Sequence, residues 1–419
     1  MMRFLLRHAM GVLVLLFPGC SKDDQAPTPD PQIGVPSSIQ GFDIGNANDA
    51  SDVRVFFEAG VNADLLDEYR IMLSKSDAGL DLNGALMVDN SAYASLTSTA
   101  NSLKLNLKSS LTDVDGDPIG NGQSYDLHIL AVPASTEVEA KLGSSARALT
   151  LTDDDLHDLY ISSRGTSSVE LFDGVTGEHI ESFVTSGSGG LSAPQEVIFL
   201  EDGSLIVTGR FNTAIKQYHG STGDFIGDFT SEYSLNEPTK TSIGPDGHLY
   251  VSQWASAPNP VVRFNMQTGV FIDEVVDTFF NGMDQEWDGS GNFYVVSWGL
   301  KELRKYDPQF QLISTTTSQL GGPVNIWIDD SDVLHVVDWT DGTVKRFDDD
   351  LNYMDVFISG LTNVEGFAFD GDRVLLCDWQ DGKVNVYNRI TGAFIRTLVE
   401  SSLIINPNSI TLGPDKRPS

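Results

Sequence analysis

Six residues spaced roughly forty apart are the ones best suited to recognition chemistry: Arg164, Arg210, Trp254, Trp298, Trp339 and Trp379. Arginine offers a planar fork of donors, and tryptophan a broad π-face with one polar edge; both carry a large share of the energy where proteins meet ligands. Four of the six tryptophans in the chain belong to this series. Gathered around one opening, the indoles could stack on a sugar ring, a peptide or an aromatic ligand. Wedged between neighbouring units, the same residues would serve as packing spacers. Proton-transfer and acyl chemistry have less to work with. Past the leader the histidines are His128, His157, His179, His219, His248 and His335. None stands at a strand end expected to face such an opening, which leaves out the easiest general base.

The elements that position the series repeat with it. Six aromatic residues, Phe172, Tyr218, Phe264, Tyr306, Phe347 and Tyr387, step by 46, 46, 42, 41 and 40 residues. Four of them lead into a turn ending in Thr-Gly, as in Phe172-Asp173-Gly174-Val175-Thr176-Gly177 and Tyr387-Asn388-Arg389-Ile390-Thr391-Gly392. Each unit holds an innermost strand after a proline or loop, a second apolar strand, a third ending near the aromatic, and a fourth after the Thr-Gly turn. A period near forty filled with four short strands is the blade of a β-propeller. An innermost strand also follows the sixth unit, at Pro407-Asn408-Ser409-Ile410-Thr411-Leu412. It is expected to complete the first blade and remove the exposed edges.

The strings Val364-Glu365-Gly366-Phe367-Ala368-Phe369-Asp370 and Val333-Leu334-His335-Val336-Val337-Asp338 resemble the NHL-type and gluconolactonase-like six-bladed propellers, and the resemblance covers residues 153–417. It speaks to fold more than to function. In gluconolactonase-like enzymes the innermost-strand entries supply Glu, Asn and Asp ligands to one divalent cation. The corresponding entries here read Asn408, Gln195, Thr239, Asp284, Val324 and Glu365 in blade order. The resemblance thus implies Glu365, Asn408 and Asp284 as ligands for calcium or magnesium, and a metal-dependent lactonase or related hydrolase as the enzymatic alternative. The pattern departs from that family: Glu365 and Asn408 are adjacent, Asp284 lies opposite, and Val324 breaks the ring. A polar, watered pore is the other reading.

Residues 38–152 read as a β-sandwich, with strands expected at 53–57, 69–73, 103–107, 125–132 and 148–152. The piece Gly122-Gln123-Ser124-Tyr125-Asp126-Leu127-His128-Ile129-Leu130-Ala131-Val132 resembles the sixth strand of a fibronectin type III domain, in which a tyrosine caps the corner. Phe56 and Phe57 stand in for the tryptophan of the second strand. In the turn at Asp113, Asp115 and Asp117, alternate carboxylates could converge on calcium. Pro118 and Ser124 occupy the positions where an EF-hand needs glycine and glutamate, so a solvated loop is the competing reading.

The formal net charge of −33 argues against a nucleic-acid partner and against docking on anionic lipid. Arg3 and Arg7 precede a short apolar run at 11–17, which is too short to span a bilayer. The following Phe17-Pro18-Gly19-Cys20 resembles a lipobox, which implies a lipid on Cys20; ordinary cleaved secretion is the alternative. Ser21-Lys22-Asp23-Asp24 resembles the signal that sends Bacteroidota-type lipoproteins to the outer leaflet of the outer membrane. The expected layout is a leader at 1–19, a proline-rich tether at 20–37, a fibronectin type III-like sandwich at 38–152 and a propeller at 153–419. Cys377 lies in an apolar strand and is expected to be buried. The chain is thus expected to be all-β: a surface lipoprotein, touching the membrane only through its lipid, that binds a carbohydrate, peptide or protein on the propeller face. An assembly scaffold in the envelope is a further alternative.

Overall fold

Period-two alternation sorts the first strands onto two sheets in the computed structural model, which describes residues 32–43, 48–76, 78–151, 157–255, 259–279, 281–329 and 331–413. The expected leader, Cys20, most of the tether and the end of the strand expected at 148–152 lie outside these residues. One sheet pairs Ser37–Asp43, Val53–Glu58 and Ser102–Asn106. The other orders Ala94–Leu96, Leu66–Lys75, Ser124–Pro133 and Lys141–Ser144, with Leu149–Thr150 paired to the start of Ser124–Pro133. Val53, Val55 and Phe57 point inward onto Ile71, Leu73, Leu127 and Ile129. Tyr125 caps its corner: its hydroxyl accepts from the Gly120 N–H at 3.1 Å. Phe57 packs edge-on to Tyr69 inside the core, whereas Phe56 faces out. The strands at 37–43, 94–96 and 141–144 and the short helix Leu82–Met87 were not expected, because glycine and serine interrupt their apolar pattern.

Six four-stranded antiparallel sheets follow among the described residues, repeating as propeller blades. Their innermost strands are Pro407–Leu412, Pro194–Phe199, Pro238–Ile243, Gly282–Trp287, Pro323–Ile328 and Val364–Asp370. Each touches the next, and the last touches the first, so the sheets surround one channel. The ring is closed by Pro407–Leu412, which pairs antiparallel with Leu159–Ser163 in the first blade. The six aromatics at the third-strand ends are all buried between blades. Cys377 is buried as well. The Thr-Gly turns join one blade to the previous one. Gly177, Gly223, Gly269 and Gly392 hold positive φ, and a Cβ on each would collide with the carbonyl of Leu398, Phe183, Phe229 or Phe357 in the preceding blade.

The outward face of the three-stranded sheet docks on the first blade. Phe42 and Phe56 pack against the cluster holding Tyr160, Ile180 and Phe183. Between them Arg54, only 1% exposed, donates from Nη1 to Glu181 Oε1 at 2.6 Å and from Nε to Asn106 Oδ1 at 2.8 Å. Lys104 reaches the other Glu181 oxygen at 2.8 Å and the Thr222 carbonyl at 2.9 Å. Thr222 lies in a turn between third and fourth strands, so the sandwich holds the end of the propeller away from the second-strand exits. Removing Arg54 takes one of two cationic partners from the buried Glu181, leaving Lys104, and breaks the bond to Asn106. Arg54→Ala is therefore expected to destabilise the protein by about 1.5–3 kcal/mol in denaturant unfolding. A change below about 1 kcal/mol would show that the two modules are not coupled through this pair.

Candidate functional site

All six members of the arginine–tryptophan series leave second strands at the same end of the propeller. Each backbone N–H donates to the carbonyl of the residue preceding an innermost strand: Arg164 to Asn406, Arg210 to Ala193, Trp254 to Glu237, Trp298 to Asn281, Trp339 to Gly322 and Trp379 to Asn363. Ala193, Glu237, Asn281, Asn363 and Asn406 hold positive φ, a conformation that asparagine tolerates better than most residues. Three of these asparagines also donate their side-chain amides to indole-residue carbonyls: Asn281 to Trp254 at 2.8 Å, Asn363 to Trp339 at 3.1 Å and Asn406 to Trp379 at 3.2 Å. The backbone under the aromatic arc is thereby pinned at both ends. These asparagines escaped the sequence reading, although Asn recurs before Gly282, Val364 and Pro407.

The side chains then meet one another. Ring centroids lie 5.3 Å apart for Trp254 and Trp298, 6.4 Å for Trp298 and Trp339, and 5.6 Å for Trp339 and Trp379. Arg164 sits 5.8 Å from the Trp379 ring, and Arg210 sits 4.5 Å from the Trp254 ring. All six are half-buried, neither sunk between the sheets nor fully exposed. Gly322 leaves room for this arc, since a Cβ there would press on the Trp298 indole nitrogen. The tryptophans combine packing with exposure: Trp254, Trp298 and Trp339 pack against the core cluster, yet retain accessible surface. The two arginines differ. Arg210 is paired to Glu237 Oε2 at 3.0 and 3.1 Å. The Arg164 side chain forms no hydrogen bond or ion pair among the described residues, and burial together with the Arg210 charge lowers its pKa.

The second expected ring is split by the strand register. Every innermost strand carries an irregularity after its first residue, so the register jumps: Pro194 pairs with Gly209 but Glu196 with Thr208, and Gly282 with Ser297 but Asp284 with Val296. The residue in the bulge is Asn408, Gln195, Thr239, Met283, Val324 or Glu365. Asp284 is not in that layer. It belongs one step deeper, with Ser409, Glu196, Lys240, Asn325 and Gly366. The expected set Glu365, Asn408 and Asp284 thus spans two levels.

Lys240 dominates the deeper level. It is 1% exposed, and its ammonium donates to the Gln195 carbonyl at 3.0 Å, the Asn408 carbonyl at 2.5 Å and Glu196 Oε2 at 3.1 Å. Below it lies a polar cavity of about 150 Å³, lined by Asp284, Glu286, Gln285 and Asn325 among others. The Asn325 Oδ1 has no hydrogen-bond partner there among the described residues. Asp284 accepts from the Gln285 and Ile326 N–H groups at 2.9 and 3.1 Å, and Asn408 Oδ1 accepts from the Trp379 indole N–H at 2.9 Å. Burial pushes Asp284 up to about 8 and Glu365 up to about 7, with Lys240 opposing both shifts.

These residues do not fit the metal centre that the resemblance implies. A lysine ammonium already supplies positive charge to the carboxylates, the Asn408 oxygen is committed to Trp379, and no group of three or more His, Cys, Asp or Glu among the described residues is arranged to hold a metal ion. The acidic turn of the sandwich is closed in the same way. Asp113 Oδ1 accepts from the Asp115 and Asp117 N–H groups at 3.0 and 2.9 Å, while Lys75 reaches Asp117 at 2.5 Å and Asp113 at 3.5 Å.

The sequence matches no family model and no curated protein. Solved structures share the fold. A chain of a nidogen/laminin complex aligns with a TM-score of 0.51 at 14% identity, over 62% of this chain and 99% of its own length. A Bacteroides caccae protein of unknown function aligns with a TM-score of 0.50 at 14% identity, over 61% and 98%. At this identity the likeness concerns the β-propeller fold.

Because the folded protein holds the Glu365 proton more tightly than the unfolded chain does, the stability of the neutral form is present at low pH and is lost as pH rises through about 7. Glu365→Gln carries no such penalty. Its unfolding free energy relative to wild type, read from melting curves, is expected to climb between pH 5 and pH 8 by an amount on the order of 2–3 kcal/mol. Parallel melting curves across that range would show that Glu365 is not held neutral.

Proposed function

We propose that this protein is a surface-anchored, non-catalytic binding protein that meets its ligand at the mouth framed by Trp254, Trp298, Trp339, Trp379, Arg164 and Arg210. The observation that carries this reading is the continuous arc of four half-buried indoles with an arginine at each end. Packing alone does not call for a cationic group at both ends of an aromatic arc. Rings held at fixed depth by backbone and asparagine bonds lose little freedom on binding, which favours affinity. In this reading the chain is a six-bladed propeller closed by its own last strand. It is preceded by a fibronectin type III-like sandwich and tethered by lipid at Cys20 to the outer face of an outer membrane. The tyrosine corner and the two-sheet strand order support the sandwich family. The docking of the sandwich at the far end of the propeller supports an orientation in which the tether leads away from the mouth.

The test pairs a glycan array and a peptide array with the mature protein and its Trp339→Ala, Trp379→Ala double variant. Wild type is expected to retain a defined set of array members. The double variant should lose at least tenfold in affinity for them (about 1.4 kcal/mol or more) while its Cys377-containing core still unfolds cooperatively. Equal retention by both proteins would rule out the aromatic arc as the recognition surface.

A further inference from the structure

The mouth is not uniform, and its asymmetry points to the chemistry of what it binds. Two adjacent blades contribute the arginines and the other four contribute the indoles. In a chain carrying a net charge of −33, two guanidiniums side by side at one opening are a local exception. Arg210 has a carboxylate partner in Glu237 at 3.0 Å. Arg164 has none: its guanidinium is half-buried against the Trp379 ring, and no side-chain hydrogen bond or ion pair satisfies its donors among the described residues. Burial and the Arg210 charge beside it disfavour its charged state, while Glu365 and Glu237 favour it through space without a hydrogen bond among the described residues. A partly desolvated guanidinium with a like charge as neighbour is held at a cost that a bidentate anion would relieve.

The surroundings narrow the ligand further. Below the arginines and the neighbouring indoles the bulge layer is polar on four blades, with Gln195, Thr239, Glu365 and Asn408, and apolar on the other two, with Met283 and Val324. Glu365 makes no hydrogen bond among the described residues and is more than nine-tenths buried, so it is an acceptor available to a hydroxyl. Flat indole faces beside a polar floor suit a pyranose, whose C–H face is apolar and whose rim carries hydroxyls.

Resting on the reading of the mouth as a binding site, we infer that its occupant is a carboxylated saccharide of the uronic-acid class, with the carboxylate seated on Arg164 at the arginine side and the sugar ring stacked on a flanking indole. Arg164 reads the anion, and Arg210, held by Glu237, borders it.

The experiment uses oligosaccharides of galacturonate, glucuronate, mannuronate and guluronate, each beside its own methyl ester, titrated into the mature protein by calorimetry and indole fluorescence. The ester keeps the ring and removes the charge. At least one acid is expected to bind tenfold or more tightly than its ester. Arg164→Gln should erase that ratio while leaving ester binding in place, Arg164→Lys should restore part of it, and Trp339→Ala should weaken acid and ester alike. If saccharides bind but no acid outperforms its ester, the anion inference falls and the aromatic reading stands. If only acidic peptides bind, the saccharide assignment is overturned. If Arg164→Gln leaves the acid-to-ester ratio unchanged while melting as wild type does, Arg164 is not the reader. If nothing binds to any probe or array, both the inference and the reading beneath it fail.

Discussion

The pairing of the last strand with the first blade is the interaction on which the rest of the molecule depends. Pro407–Leu412 lies beside Leu159–Ser163, with Ile410 opposite Ile161 and Leu412 opposite Leu159, so chain segments some 250 residues apart share one ladder. Loop closure over that separation costs entropy, but the cost grows only logarithmically with length. In return Leu159–Ser163 gains a partner and the first blade has four strands like the other five. The ladder also sets geometry. The six second-strand exits lie around one circle only because the first and sixth blades are joined, and Arg164 meets Trp379 across that join.

Inside the ring, the repeated bulge separates two levels with different physics. The upper level, with Gln195, Thr239, Met283, Val324, Glu365 and Asn408, adjoins the aromatic arc through the bond from Trp379 to Asn408. The lower level is spanned by the Lys240 ammonium and its three oxygen partners. Those partners come from the first and second blades while Lys240 belongs to the third, so the lysine ties three innermost strands together across the channel. Gly366 belongs to the same level for a steric reason: a Cβ there would press on the Asn408 carbonyl and the Ser409 Cα. Rigidity below the mouth is thus supplied by charge and backbone oxygen, while rigidity of the mouth itself comes from the αL residues and their amide bonds.

Much of this was legible in the sequence, and what was missed has identifiable causes. The blade period, the closing strand and the arginine–tryptophan series were readable because a repeat holds equivalent residues at equivalent places, and one register serves for all. Asp284 was misplaced because Gly282-Met283 lacks the proline that marks the strand start in four other blades, and a bulge adds a residue that alternation does not anticipate. Lys240 reads in one dimension as a solvated strand residue; its carbonyl partners lie 45 and 168 positions away. Arg54 likewise alternates outward from Val53 and Val55 as a surface residue should, and only the docking of two modules buries it on Glu181. Local patterning therefore showed the elements and the mouth, whereas long-range charge pairing stayed hidden.

Circular closure is tested most directly by removing it. In a protein ending at Asn406, the first blade loses its innermost strand and the exits of the first and sixth blades are no longer held together. Circular dichroism in the indole region reports on coupling between the neighbouring tryptophans. A closed ring predicts that truncation abolishes that signal together with cooperative thermal unfolding, and that the peptide 407–412 added in trans restores part of both. A truncated protein that keeps the wild-type indole spectrum and melts in one sharp transition at the same temperature would contradict a mouth assembled by closure.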